Sequence, residues 1–148
     1  MSFLSTLGEP GSYVDIYHET FEIWHHLNCR RRNVIYLGYC NICTNSQNVG
    51  KSEPPSNLRM NTHCNDVHSR TGGSFDKHFA TPGHSFNKNA RFILIEQVTT
   101  KNLTKMEIRN LLEKREDFWM TKLKTITSNG FNDHLNSNLS NQIHSICS

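Results

Sequence analysis

The stretch VIYLGYCNICTNSQNVGK, residues 34–51, decides the fold. It opens with Val34, Ile35, Tyr36 and Leu37, a β-branched and aromatic run suited to a strand. A Cys-x-x-Cys pair, Cys40 and Cys43, then interrupts it, and the chain resumes at Val49 and Gly50. The pattern predicts a strand over 34–39, a turn around the cysteines and a short strand over 46–50, together a hairpin. Asn48 is the anomaly, standing where a strand favours an aromatic or β-branched residue.

Downstream of the hairpin, KSEPPSN (51–57) breaks the chain, and Ser56 or Asn57 can cap a helix of about three turns. In LRMNTHCNDVH the residues Met60, Cys64 and Val67 recur at helical spacing and predict the buried stripe. Arg59, His63 and Asp66 recur one position earlier, on an adjacent face. Residues 69–90 are rich in Gly, His and Asn and read as a long connection held by something other than a core. RFILIEQV, 91–98, is too short and too β-branched for a helix and reads as a buried strand.

The strongest helix lies in NLTKMEIRNLLEKREDFWMTKLKTI, 102–126, with Ile108, Leu111, Leu112, Phe118, Trp119, Leu123 and Ile126 at spacings of three and four. Gly130, after Asn129, is the expected stop. Upstream, Tyr13–Tyr17 and Phe21–Trp24 have loose strand character, and CRRRN (29–33) reads as a solvated strand entry. The order of elements predicts an α+β domain with a small, mainly antiparallel three-stranded sheet flanked by helices. Residues 1–28 form an N-terminal extension, 29–134 the domain and 135–148 a polar tail.

With 148 residues the chain can build one core, and 35% hydrophobic residues with a mean hydropathy of -0.61 keep that core modest. The net charge of +3 permits a polyanionic partner without demanding one. Five cysteines, an odd number, exclude a fully paired disulfide framework. No leader or membrane span is expected, so the reading is an intracellular, reducing setting in which spaced Cys and His are metal ligands before they are bridges.

Four ligands are needed for a structural zinc site. Cys40 and Cys43 supply two, and His78 and His84, separated by a Pro-Gly turn in DKHFATPGHSF, are the best second pair. Cys29, Cys64, His63 and His68 remain substitutes. Glu116 is a carboxylate among Leu112, Trp119 and Met120 on the long helix. It is either paired, with a lysine or Arg115, or aimed into a cleft to hold a cation. The neighbouring Arg115 can stack on an aromatic such as Trp119. Arg59 and His63, one turn apart, suit a grip on one phosphate, with a solvated helix face as the plain alternative. Tyr36 reads as a half-buried strand residue.

Taken together, VIY (34–36), CNIC (40–43), NVG (48–50), NLRMNTH (57–63), KHFATPGH (77–84), REDFWMTKLKT (115–125) and NGFND (129–133) resemble the GIY-YIG endonuclease domain. The closest likeness is to the version carried by Penelope-like retroelements. The pieces follow the family order over roughly residues 29–134. The resemblance implies an α/β sandwich around a three-stranded antiparallel sheet, and metal-dependent hydrolysis of a DNA phosphodiester with Mg2+ or Mn2+. DNA would be the partner, the setting nuclear, and neither a membrane nor a small-molecule substrate is implied.

By position, the resemblance implies a catalytic set of Tyr36, Asn48, Arg59, His63, Glu116 and Asn132, with Glu116 holding Mg2+. It implies a structural Zn2+ on Cys40, Cys43, His78 and His84, bracing the histidine-rich loop. Two departures from the family pattern matter. Val34 replaces the Gly of the first tripeptide, and Asn48 replaces the Tyr of the second. A carboxamide has no useful basicity at neutral pH. An inactive, zinc-containing DNA-binding module on the same fold is therefore the alternative to a nuclease.

Overall fold

Val34–Cys40 alternates its side chains between two apolar layers, and that alternation organises the domain. The computed structural model describes residues 30–137, together with two short strands upstream, β1 (Ser12–Val14) and β2 (Thr20–Glu22). These two strands pair antiparallel and overlap the stretches of upstream strand character at residues 13–14 and 21–22. Cys29 and the tail beyond Ser137 lie outside the described residues. The central element is β3 (Val34–Cys40), flanked by β4 (Asn48–Ser52) and β5 (Ala90–Gln97) in a three-stranded antiparallel sheet of order β4-β3-β5. The expected α+β class with a small antiparallel sheet is what forms.

Helix α1 (Ser56–Ser69) and two short helices, α2 (Ser74–Phe79) and α3 (Phe86–Asn89), bring Met60, Val67, Phe75, Phe79 and Phe86 to one sheet face. There they join Val34, Tyr36, Phe92 and Leu94. Helix α4 (Lys105–Leu123) covers the other face, where Leu112, Met120 and Leu123 meet Ile35, Leu37, Ile93 and Ile95. With both faces covered, β3 and β5 are near-continuous hydrophobic runs.

Several expectations are corrected. The 69–90 connection carries part of the core, because Phe75, Phe79 and Phe86 are all buried. Helix α1 has Pro55 at its N-cap and no side-chain cap, so neither Ser56 nor Asn57 does that work. Its buried stripe is Met60, His63 and Val67, with Cys64 only part-buried. Helix α4 starts on a capping box between Thr104 and Glu107. It ends at Lys124 in the left-handed conformation, φ 54°, well before Gly130. Gly130 is needed instead for close backbone approach: a Cβ there would stand 2.4 Å from Thr125 O and 2.7 Å from Gln47 O.

Candidate active-site cleft and metal centre

The exposed edge of β4 is covered by the chain that follows α4. Asn132 Oδ1 accepts from Val49 N at 2.8 Å and its Nδ2 donates to Val49 O at 2.9 Å, so the carboxamide pairs the edge as a neighbouring strand would. Thr125 Oγ1 donates to the same Oδ1, and Phe131 N donates to Gln47 O. Elements from both faces of the sheet meet along this edge in an open cleft of about 400 Å³. Tyr36, Asn48, Arg59, His63, Glu116 and Asn132 all line it. The six residues, spread from β3 to the loop after α4, are brought together.

Tyr36 is fully buried rather than half-buried, at 1% exposure. It reaches the cleft because its cross-strand partner is Gly50, whose missing side chain leaves room for the ring. A Cβ at Gly50 would lie 2.2 Å from Tyr36 Cζ and 2.3 Å from its hydroxyl. That hydroxyl is 2.6 Å from His63 Nε2. His63 is therefore no solvated helix-face residue: it is 3% exposed and stacks on Phe92. Its other nitrogen, Nδ1, lies 2.6 Å from Asp76 Oδ1 on α2.

Burial pushes the Tyr36 phenol up to about 12, and the Arg59 guanidinium facing it offsets only part of that. Burial works against the Arg59 cation in turn, but Tyr36, Asp76 and Asp66 raise its pKa by more, so it keeps its charge. Arg59 thus presents a fixed positive charge next to a neutral phenol.

Glu116 pairs with a lysine, one of the alternatives its place on the helix left open, and it also lines the cleft. It is 7% exposed on the buried stripe of α4, it lines the cleft, and it is paired. The partner is Lys51 on β4, whose Nζ is 3.1 Å from Oε1; Asn136 Nδ2 donates to the same oxygen at 2.8 Å. Arg115 pairs elsewhere and stacks on an aromatic as expected, with Phe118 rather than Trp119 beneath it. It binds Glu96 through Nε and Nη2 and lies over Phe118, 4.2 Å from the ring centre, while Trp119 Nε1 donates to Glu96. Asn136 falls in the stretch read as a polar tail, and it forms part of the cleft wall.

A second cluster sits at the other end of β3. Cys40, Cys43, His78 and His84 place one ligand atom each within 4.8 Å of one another, a set able to hold a metal such as zinc. Tetrahedral coordination with bonds of about 2.0–2.3 Å needs neighbouring ligand atoms roughly 3.3–3.8 Å apart, which modest closure provides. Cys43 Sγ and His84 Nε2 are already 3.2 Å apart.

The surroundings suit a metal as well. His84 Nδ1 faces Pro82 O and the Thr81 hydroxyl, the outer hydrogen bonding that orients a ligating imidazole. Ser46 Oγ ties together Cys40 N, Cys40 O and Cys43 O. His78 Nε2 is buried with no hydrogen-bond partner, a costly state that a bound ion would relieve. Burial, and then the neighbouring His84, lower the His78 pKa and favour the neutral ring that binds metals. Among the substitute ligands within the described residues, Cys64, His63 and His68 do not join this group.

Sequence reasoning missed Asp76, Lys51, Asn136 and Gly50 as members of the cleft. For Asp76 a signal existed: a carboxylate between Phe75 and Phe79 is the same anomaly that drew attention to Glu116. Comparison with known protein families, curated proteins and solved structures finds no match to the chain.

Proposed function

We propose that the chain is a GIY-YIG-type nuclease domain, similar to those of Penelope-like retroelements, that hydrolyses a DNA phosphodiester using one divalent cation. The observation that carries this reading is the convergence of Tyr36 with His63, Arg59 and Glu116 on one open cleft. A plain zinc-binding interaction domain has no need to gather a phenol, a guanidinium and a carboxylate from three elements along one sheet edge. The cysteine–histidine cluster would supply folding free energy and brace α2 beside the cleft.

The donor set fits a hydrated Mg2+ or Mn2+, which takes few protein carboxylates and completes its shell with water and substrate oxygens. Glu116 already faces a cation, the Lys51 ammonium, so the position is built for positive charge. When bound there, the metal would polarise the phosphate and stabilise the leaving oxygen.

The remaining steps belong to the chain. Arg59 grips a non-bridging phosphate oxygen and offsets the charge that grows in the transition state. The attacking water gives a proton to the Tyr36 oxygen as the phenol passes its own to His63 Nε2. The water oxygen bonds to phosphorus, and the departing sugar oxygen leaves with its electron pair and is protonated from solvent. A phenol held near 12 is a poor resident phenolate, so passing the proton on is the step its surroundings support. Asn132 holds Val49 and so shapes the wall rather than touching the reaction.

One observation favours the second reading, a zinc-containing DNA-binding module that does not cut. Asn48 lines the cleft with a carboxamide that can orient water but not deprotonate it. Supercoiled plasmid incubated with the protein and Mg2+ separates the two. Nicking that chelation and Glu116→Ala both abolish supports the nuclease. DNA binding without nicking supports the module.

A further inference from the structure

Asp76 is a buried carboxylate in an aromatic cluster, 4% exposed, with Phe75 and Phe79 flanking it on a two-turn helix. Burying a carboxylate costs several kcal/mol unless it is paired and hydrogen-bonded. The fold makes specific room for it. Gly72, at φ 84°, packs its bare Cα against the group, and a Cβ there would lie 2.3 Å from Asp76 Oδ2. The other oxygen is 2.6 Å from His63 Nδ1. The His63 ring is gripped by Phe92 in a stack and by Phe75 edge-on, so it can turn little about its own axis.

We propose that Asp76 is a positioning residue that keeps the His63 proton on Nδ1, so that Nε2 offers its lone pair to the Tyr36 hydroxyl. A carboxylate can only accept, so Nδ1 must carry the hydrogen in the bond between them. In a neutral imidazole Nε2 is then an acceptor, and the group 2.6 Å away is the Tyr36 O–H, which must donate. The hydrogen bonds therefore run in one direction, from the cleft through Tyr36 to His63. When His63 receives the phenol proton it becomes an imidazolium beside an anion already in place. This deepens the nuclease reading and rests on it for its kinetic arm, but the direction of the hydrogen bonds can be measured without any substrate.

The test labels the full-length, zinc-loaded protein with 15N-histidine and reads the His63 ring nitrogens by long-range proton–nitrogen NMR in mildly alkaline buffer. The native protein should show a protonated Nδ1 and an unprotonated Nε2. In Asp76→Asn the amide can donate to Nδ1, and the proton should move to Nε2. Plasmid-nicking kcat should then fall by roughly 10²–10⁴-fold, the range for a positioned acid–base group. KM, DNA affinity, zinc content and melting behaviour should stay near native.

A native His63 protonated on Nε2, or on both nitrogens, overturns the proposal. So does an Asp76→Asn protein that keeps the native ring signature, or one that moves the proton and nicks at the native kcat. If Asp76→Asn does not fold, the native spectrum alone decides. If the native ring is as expected but no nicking occurs, the positioning role stands and the nuclease reading falls.

Discussion

Raising the pH should strip stability from this fold in a window set by Tyr36. The phenol is held at about 12 in the folded chain, against an ordinary value of 10.0 once unfolded. Below pH 10 both states keep this proton and the Tyr36 contribution to stability is fully present. Between pH 10 and pH 12 the unfolded chain releases the proton while the folded chain retains it, so unfolding is favoured increasingly as pH rises. Two pH units at about 1.4 kcal/mol each correspond to a loss of about 3 kcal/mol from this one side chain.

Tyr39 is also raised, mainly by burial, as is the Cys64 thiol, so the native protein will lose stability from several groups at alkaline pH. Comparison with Tyr36→Phe isolates the phenol. At neutral pH that variant should be less stable by about 1–3 kcal/mol, because His63 Nε2 loses its buried partner. Its decline with pH should then be shallower, and the two curves should converge towards pH 12. Urea unfolding followed by tryptophan fluorescence at a series of pH values reads both curves. Parallel curves across that window would refute the reasoning, since they would mean that Tyr36 ionises as an exposed phenol does.

Gly50→Ala should destabilise the domain by about 1–3 kcal/mol, as overpacking does, and lower nicking by displacing the Tyr36 ring. Denaturant melts and plasmid assays check the two effects. Purified protein should carry one zinc ion per chain, and Cys43→Ser should reduce that content and speed hydrogen exchange over residues 69–90. Metal analysis that finds none contradicts the assignment. Asn48→Tyr should raise nicking, by up to roughly 10²–10⁴-fold if the new phenol relays a proton, and Glu116→Ala in that background should remove the gain. Unchanged cleavage by a folded, DNA-binding Asn48→Tyr protein would place the limit elsewhere.

What the sequence made legible, and what it hid, divides along physical lines. Val34–Cys40 and Ala90–Gln97 were readable because strands covered on both faces are compositionally apolar. Glu116 stood out because a carboxylate in an apolar stripe needs a reason. Cys40, Cys43, His78 and His84 stood out as candidates around two turns, and the fold gathers them into a set able to hold a metal.

His63 was placed on a face adjacent to the stripe of Met60, Cys64 and Val67, yet the helix buries Met60, His63 and Val67. Only a partner such as Asp76 makes an imidazole welcome there. The phenylalanines at 75, 79 and 86 were masked by their Gly, His and Asn neighbours. The Lys51–Glu116 and Asn136–Glu116 contacts join residues far apart in the chain, and no local pattern encodes them.

The central claim is that water, activated in this cleft, breaks a DNA phosphodiester bond. Single-turnover cleavage of a duplex oligonucleotide in 18O-enriched water, with Mg2+ and excess protein, tests it directly by mass spectrometry of the products. The account predicts strand cleavage with one labelled oxygen on the terminal phosphate, and neither product with Glu116→Ala. Intact oligonucleotide after prolonged incubation with Mg2+ or Mn2+ would contradict it.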